Sequence, residues 1–283
     1  MNDPININVG LGPATLDLNA LRRWFKEAPV RTVAYRFLKV FNDYGVKNTQ
    51  IQRLVPEITL DRVSSPEALL PALTNDVLTR TAQPLGIERA WLDGVQERMY
   101  RPRGSYQHAA AFFEVVKGLE RPFVWHPLRA YCLDPKLDFR KGRPQPLVLT
   151  FAEKICDWDD DGELVRFIPF TEEWDWGYPK SRLQLKATVL ACHDYLGIAV
   201  VPLYQVDRKT LKDLSEGEAV PPDVPWSRDV SLEDYVFSPD ESHVSKEAEE
   251  LEAVFSWMKS MKMEELAKSA AANQERLNEE FEP

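Results

Sequence analysis

"DYGVKNTQIQRLVPEITLDRV", residues 43–63, decides how the N-terminal third of the chain is read. Gly45 follows an apolar helical stripe by one turn, so Asp43-Tyr44-Gly45 has the form of a C-terminal cap and turn. "NTQIQRLV" then reads as a short helix with Asn48 or Thr49 as its N-cap, stopped by Pro56. "ITLDRV" reads as a further turn of helix, with apolar Ile58, Leu60 and Val63 alternating with Thr59, Asp61 and Arg62. Such a piece either enters a DNA groove or forms the corner of a helical bundle.

Upstream, Leu21, Trp24 and Phe25, then Val33, Phe37, Val40 and Phe41, recur at the helical spacing, with a break near Ala28 imposed by Pro29. Downstream, Ser65 and Pro66 mark a helix start. Thr74 or Asn75 caps a helix carrying Val77, Leu78 and Ala82, and Ile87 to Leu92 close the unit before Asp93-Gly94. Residues 1–19 read as an arm, 20–99 as an all-helical domain and 100–105 ("YRPRGS") as a linker.

The pattern changes after that. Residues 106–215 open with a helix, "YQHAAAFFEVVKGLE", and carry the candidate strands "FVWHPLRAYCL", "QPLVLTFAEKI", "ELVRFIPFT" and "GIAVVPLYQVD". A helix, "SRLQLKATVLACHDYL", separates the last two. This predicts a mixed α/β domain with a mainly antiparallel sheet, in which "CDWDDDGE" joins two strands as a hairpin. Residues 216–241 read as a proline-rich acidic linker and 242–283 as a helical tail whose polar end is partly disordered. The fold class expected is therefore multidomain, α followed by α+β.

Bulk properties agree with a folded chain: 283 residues, 44% hydrophobic and 28% charged. Cys132, Cys156 and Cys192 are widely spaced and odd in number, which suggests reduced thiols. The start lacks a basic patch followed by an apolar core, and "VLACHDYLGIAVVPLY" is too polar to span a bilayer. A cytoplasmic location without membrane contact is expected. Net charge is −10, but residues 1–104 hold 14 basic and 11 acidic side chains, and residues 20–62 hold nine basic to four acidic. An acidic body with one basic end is an allowed footprint for a DNA-binding module.

In its residues Phe37 to Gly94 the chain resembles a lambda-repressor-like (Xre/Cro-type) helix-turn-helix domain. "FLKVFNDYGVKNTQIQRL" is similar to the first two helices of that family, with Thr49-Gln50 at the start of the second. "TLDRV" falls at the recognition helix, and "LTNDVLTRTAQPLGIERAWLDG" is similar to the closing pattern. The sequence departs from the family at Pro56-Glu57, where a small-residue joint is usual, and in the extra "SSPEALLPAL". The resemblance implies binding to double-stranded DNA as a homodimer. By it, Gln50 bonds a phosphate and orients the recognition helix. Thr59 and Arg62 reach base edges, while Lys47, Asn48, Thr49, Arg53 and Lys39 lie at the backbone. The α/β domain would then sense a small molecule or protein effector, or drive dimerisation. The alternative is an adaptor that docks a protein through a degenerate domain of this type.

Other motifs carry less. Trp174, Trp176 and Tyr178, with Arg182 and Lys186 on the helix that follows, form either an aromatic ligand pocket closed by arginine or an aromatic lid over the core. Asp157, Asp159, Asp161 and Gly162 match the first half of a calcium loop, but Ile168 stands where the bidentate glutamate is due. A solvated hairpin explains them better. Cys192-His193, with His108, His126 and Cys132 elsewhere, lack the spacing of zinc ligands. "VGLGPAT" lacks the third glycine of a dinucleotide fingerprint, and no nucleophile elbow is present. No metal, cofactor or catalytic residues are expected, and the chain is read as non-enzymatic.

Overall fold

A computed structural model of the protein describes residues 29–106, 108–137, 143–158, 162–237 and 244–281. Among them it forms eleven α-helices and one six-stranded, mainly antiparallel sheet. The expected 1–19 arm lies outside the described residues, as do Asp159 and Asp161.

The N-terminal helical unit begins with α1 (Pro29–Asp43). Its Ala34, Phe37, Leu38, Val40 and Phe41 are buried, the stripe that a 3.6-residue period places on one face. Gly45 ends the helix at φ +70°, and the Val46 N–H reaches back to the Phe41 carbonyl (2.8 Å) while that of Gly45 bonds Asn42 (3.0 Å). This paired closure needs a left-handed residue, which glycine supplies cheaply. Then come α2 (Asn48–Leu54), α3 (Pro66–Leu69), α4 (Asn75–Leu85) and α5 (Arg89–Leu92). Arg36 ties α1 to the end of α5, donating to the carbonyls of Trp91 (2.6 Å) and Gln96 (2.5 Å).

After α6 (Ala109–Lys117) the sheet forms from β1 (Phe123–Cys132), β2 (Pro146–Trp158), β3 (Gly162–Pro169), β4 (Trp174–Asp175), β5 (Pro202–Gln205) and β6 (Trp226–Ser231). Its order is β3-β2-β1-β5-β6, with β4 on β2; only β1 and β5 run parallel. Trp158 pairs with Gly162, so β2 and β3 pair as the antiparallel neighbours the sequence predicts. The remaining helices are α7 (Pro179–Leu196), α8 (Arg208–Ser215), α9 (Asp234–Phe237), α10 (Val244–Ser260) and α11 (Met263–Phe281).

Strand alternation makes a three-layer body. Leu128, Ala130, Cys132, Leu147, Leu149 and Phe151 face a layer built from α6, α7, α10 and α11. On the opposite face, Tyr131, Val148 and Tyr204 meet Leu211 and Leu214 of α8. On that face too, Val124, Ala152, Leu164 and Phe167 share one core with the helical unit.

The two expected linkers differ, while the expected helical tail is present. The supposed linker at 100–105 is strapped into the body: Tyr100 and Ser105 are buried, and Glu172 accepts from the Ser105 and Tyr106 backbones and the Ser105 hydroxyl (3.0 Å). The supposed 216–241 linker contributes Val220 to the helical unit's core and pairs as β6 against β5. The tail is structural, since Val254, Met258, Met263, Ala267, Ala270 and Leu277 are buried. No helix among the described residues is long and apolar enough to cross a membrane.

Candidate functional site

The turn at Gly45 sets the start of α2 at the surface. Lys47 and Thr49 are exposed and Asn48 is half-buried. Gln50 is buried, and its side-chain oxygen accepts the Lys47 N–H (2.8 Å). That oxygen caps its own helix, and the side chain is buried, which leaves little of it at the surface for the phosphate contact the resemblance implies. Arg53 is exposed and sits near enough to β2 for its charge to act on the Cys156 thiol. With seven residues, α2 is also too short to offer much of a helix dipole.

The segment expected to read bases is not an α-helix. Ile58 and Val63 are buried against the helical core, and residues Arg62–Ser64 make one 3₁₀ turn. Ser65 then takes an extended conformation (φ −151°, ψ 154°) and caps α3 through its side chain. Pro66 is the cause, because its ring excludes helical angles at the residue before it. The recognition helix implied at "TLDRV" is thereby reduced to turns and separated from α3.

Asp61 gathers both supposed base readers. The half-buried Thr59 donates its hydroxyl to the Asp61 carboxylate, and Arg62 Nε lies 3.8 Å from the same group. The Thr59 hydrogen bond, helped by the Arg62 charge, holds the Asp61 carboxyl below the usual range. Arg62 nevertheless remains exposed, beside Leu60, which is 55% exposed. Arg80 forms an ion pair with Glu57.

The tryptophan pair belongs to the core. Trp174 and Trp176 are fully buried; Tyr106 packs edge-on to the first (5.3 Å between ring centroids) and Tyr235 beside the second (5.7 Å). Arg182 spends its guanidinium on Glu250 (2.8 Å) and on the Trp176 carbonyl (2.9 Å). Tyr178 is exposed, at the N-cap of α7. The site is read instead as packing, because Trp174 and Trp176 lie in the core and Arg182 is held by Glu250 and the Trp176 carbonyl, while Tyr178 stands apart at the surface.

A cavity does open elsewhere, where the end of α1 meets the sheet. It measures about 620 Å³ and is lined by residues 42–45, by Val124, Trp125, His126 and Arg129 of β1, by residues 163–165 and Phe167 of β3, and by Pro221 and Asp223. A second cavity of about 490 Å³ shares Trp125 and His126 and continues toward residues 196–200. The register of β1 breaks between Phe123 and Leu128. Pro127 cannot donate to a ladder there, and the irregularity turns Trp125 outward, 87% exposed.

Arg129 is half-buried at the wall of the larger cavity. Its guanidinium lies over the rings of Phe167 (5.3 Å) and Tyr204 (5.8 Å), and Nε donates to the His126 carbonyl (3.3 Å). Among the described residues no carboxylate forms an ion pair with it. Asp43 is engaged by Lys39, and Glu163 by Lys154 (3.3 Å). Partial burial, reinforced by the Arg129 charge, lowers the His126 pKa and favours its neutral form near pH 7.

Comparison with family models, curated proteins and solved structures gives no match for this chain.

Among the described residues, no group of three His, Cys, Asp or Glu side chains could hold a metal ion. The cysteines offer no activated nucleophile either: burial pushes the Cys132 thiol up to about 12 and raises those of Cys156 and Cys192. Sequence reading missed Trp125 and Arg129. Pro127 inside a strand pattern is a usable signal for the irregularity that exposes Trp125. Nothing local marks Arg129, whose ring partners come from β3 and β5.

Proposed function

We propose that the chain is a non-enzymatic, DNA-binding transcription regulator. In this reading the helical unit meets double-stranded DNA, and the α/β body senses an effector or brings two copies together on a two-fold site. The observation that carries it is the exposed polar corner after Gly45, with Lys47, Thr49 and Arg53 at the surface of the region where basic residues outnumber acidic ones nine to four. These groups suit phosphate contacts, which fix position more than sequence. Of the two base-edge candidates, Arg62 is the exposed one. The test is selection of duplexes from a random library by the full chain, followed by gel shift. Lys47→Ala weakens all duplexes alike, whereas Arg62→Ala narrows the gap between selected and random duplexes. Equal retention of every duplex by the wild type at all salt concentrations overturns the reading.

A second reading, docking of a partner protein on the helical unit, is favoured by Asp61. Its carboxylate engages both Thr59 and Arg62 and would oppose a phosphate. The reduction of the segment to a single 3₁₀ turn favours it too. Under this reading the chain retains no duplex even at low salt.

A further inference from the structure

We propose that the cavity between the end of α1 and the sheet binds a small monocarboxylate with a flat apolar body, its carboxylate held by Arg129. Two observations converge on this chemistry. First, a volume of about 620 Å³ falls within the range of small-molecule sites, and Val124, Trp125, Leu164 and Phe167 give one part of an otherwise polar wall an apolar surface. Second, Arg129 is oriented by Phe167, Tyr204 and the His126 carbonyl, yet no described carboxylate pairs with it. A planar guanidinium fixed in this way is prepared for a carboxylate.

The charge of the ligand follows from the rest of the lining. Asp43, Glu163 and Asp223 stand around the cavity. Lys39 and Lys154 already pair with the first two, so a dianionic phosphate would meet the repulsion of Asp223 with only Arg129 to hold it, and His126 favours its neutral form near pH 7. One negative charge is what the site can hold. The cavity also touches residues 42–45, the turn that sets the start of α2. A bound ligand therefore presses on the polar corner, and on this point alone the inference rests on the DNA-binding reading.

Calorimetric titration of the full chain with benzoate, without DNA, tests the site itself. Benzoate should bind, and benzamide and inorganic phosphate should bind at least about tenfold more weakly, the scale of one charge-assisted hydrogen-bonded pair. Arg129→Gln should weaken benzoate by about the same factor. Asp223→Asn, which leaves Arg129 and its stacking intact, should tighten it by a few-fold. Failure of the folded wild type to bind benzoate overturns the proposal. So does equal affinity for benzamide or phosphate, or binding that neither substitution alters. Gel shift with and without benzoate then reads the coupling. Benzoate binding with no effect on DNA retention leaves the site standing and removes its regulatory role, whereas absence of DNA retention in both arms counts against the DNA reading alone.

Discussion

The hydroxyl oxygens of Tyr44 and Tyr100 lie 2.9 Å apart, joining the end of α1 to the strap that leads into the sheet. Tyr44 also donates to the Leu85 carbonyl (2.7 Å), which uses its one proton, so Tyr100 is the donor in the tyrosine pair. Burial raises both phenol pKa values, so neither ionises near neutral pH. The contact therefore holds two segments of the helical unit and the strap in one arrangement. It explains why that unit is continuous with the body.

Removing the two hydroxyls should have unequal effects. Tyr100→Phe deletes one donor and should cost about 1 kcal/mol. Tyr44→Phe strands both the Leu85 carbonyl and the Tyr100 hydroxyl, and should cost about 2–3 kcal/mol. Urea denaturation of the two variants checks the order. Equal losses would mean the bond to Leu85 contributes nothing.

Glu250 on α10 joins Arg182 (2.8 Å) and Lys186 (2.9 Å), which lie one turn apart on α7. Burial alone would raise its carboxyl pKa, but the two cations outweigh it and the folded value lies below the usual range. A folded pKa below the unfolded one adds stability above the unfolded value, roughly pH 4.3, which is lost as pH falls through the folded one. Glu250→Gln should cost about 2–4 kcal/mol at pH 7, since two buried cations lose their partner. The gap to wild type should shrink in acid. Thermal unfolding between pH 7 and pH 3 would show this, and a gap that stays constant or widens in acid contradicts the assignment.

Gln274 sits at 6% exposure within the buried stripe of α11, and neither atom of its carboxamide has a hydrogen-bond partner among the described residues. Replacing it with methionine should stabilise the chain by roughly 1–2 kcal/mol, by removing an unmet polar group at similar volume. Denaturant midpoints decide this; a midpoint lowered by the substitution would show that the carboxamide is satisfied in solution.

That helix also shows where sequence reading stops. "EELAKSAAANQERLNEEF" looks polar, yet Met263, Ala267, Ala270, Gln274 and Leu277 repeat at spacings of four and three, all buried. Alanine adds little hydrophobicity to the sequence but allows close helix packing, so the stripe is weak as composition and strong as geometry. Strands β1, β2, β3 and β5 were legible because their apolar residues are dense and bounded by turns. β6 was not, since Pro221, Pro222 and Pro225 mask it and only its pairing with β5 makes it a strand. At the candidate sites, residue types near Gly45 were legible, but their engagement was not. The Gln50 cap, the Asp61 carboxylate and the extended Ser65 decide which groups remain available. Arg129 depends on partners from distant strands and could be found only in the folded chain.

The affinity of the full chain for a selected duplex, measured against salt concentration, bears most directly on DNA binding. The account predicts a log–log slope of about −2 or steeper, made shallower by about one in Lys47→Ala. Absence of duplex binding at about 50 mM salt, or an affinity that does not change with salt, would contradict it.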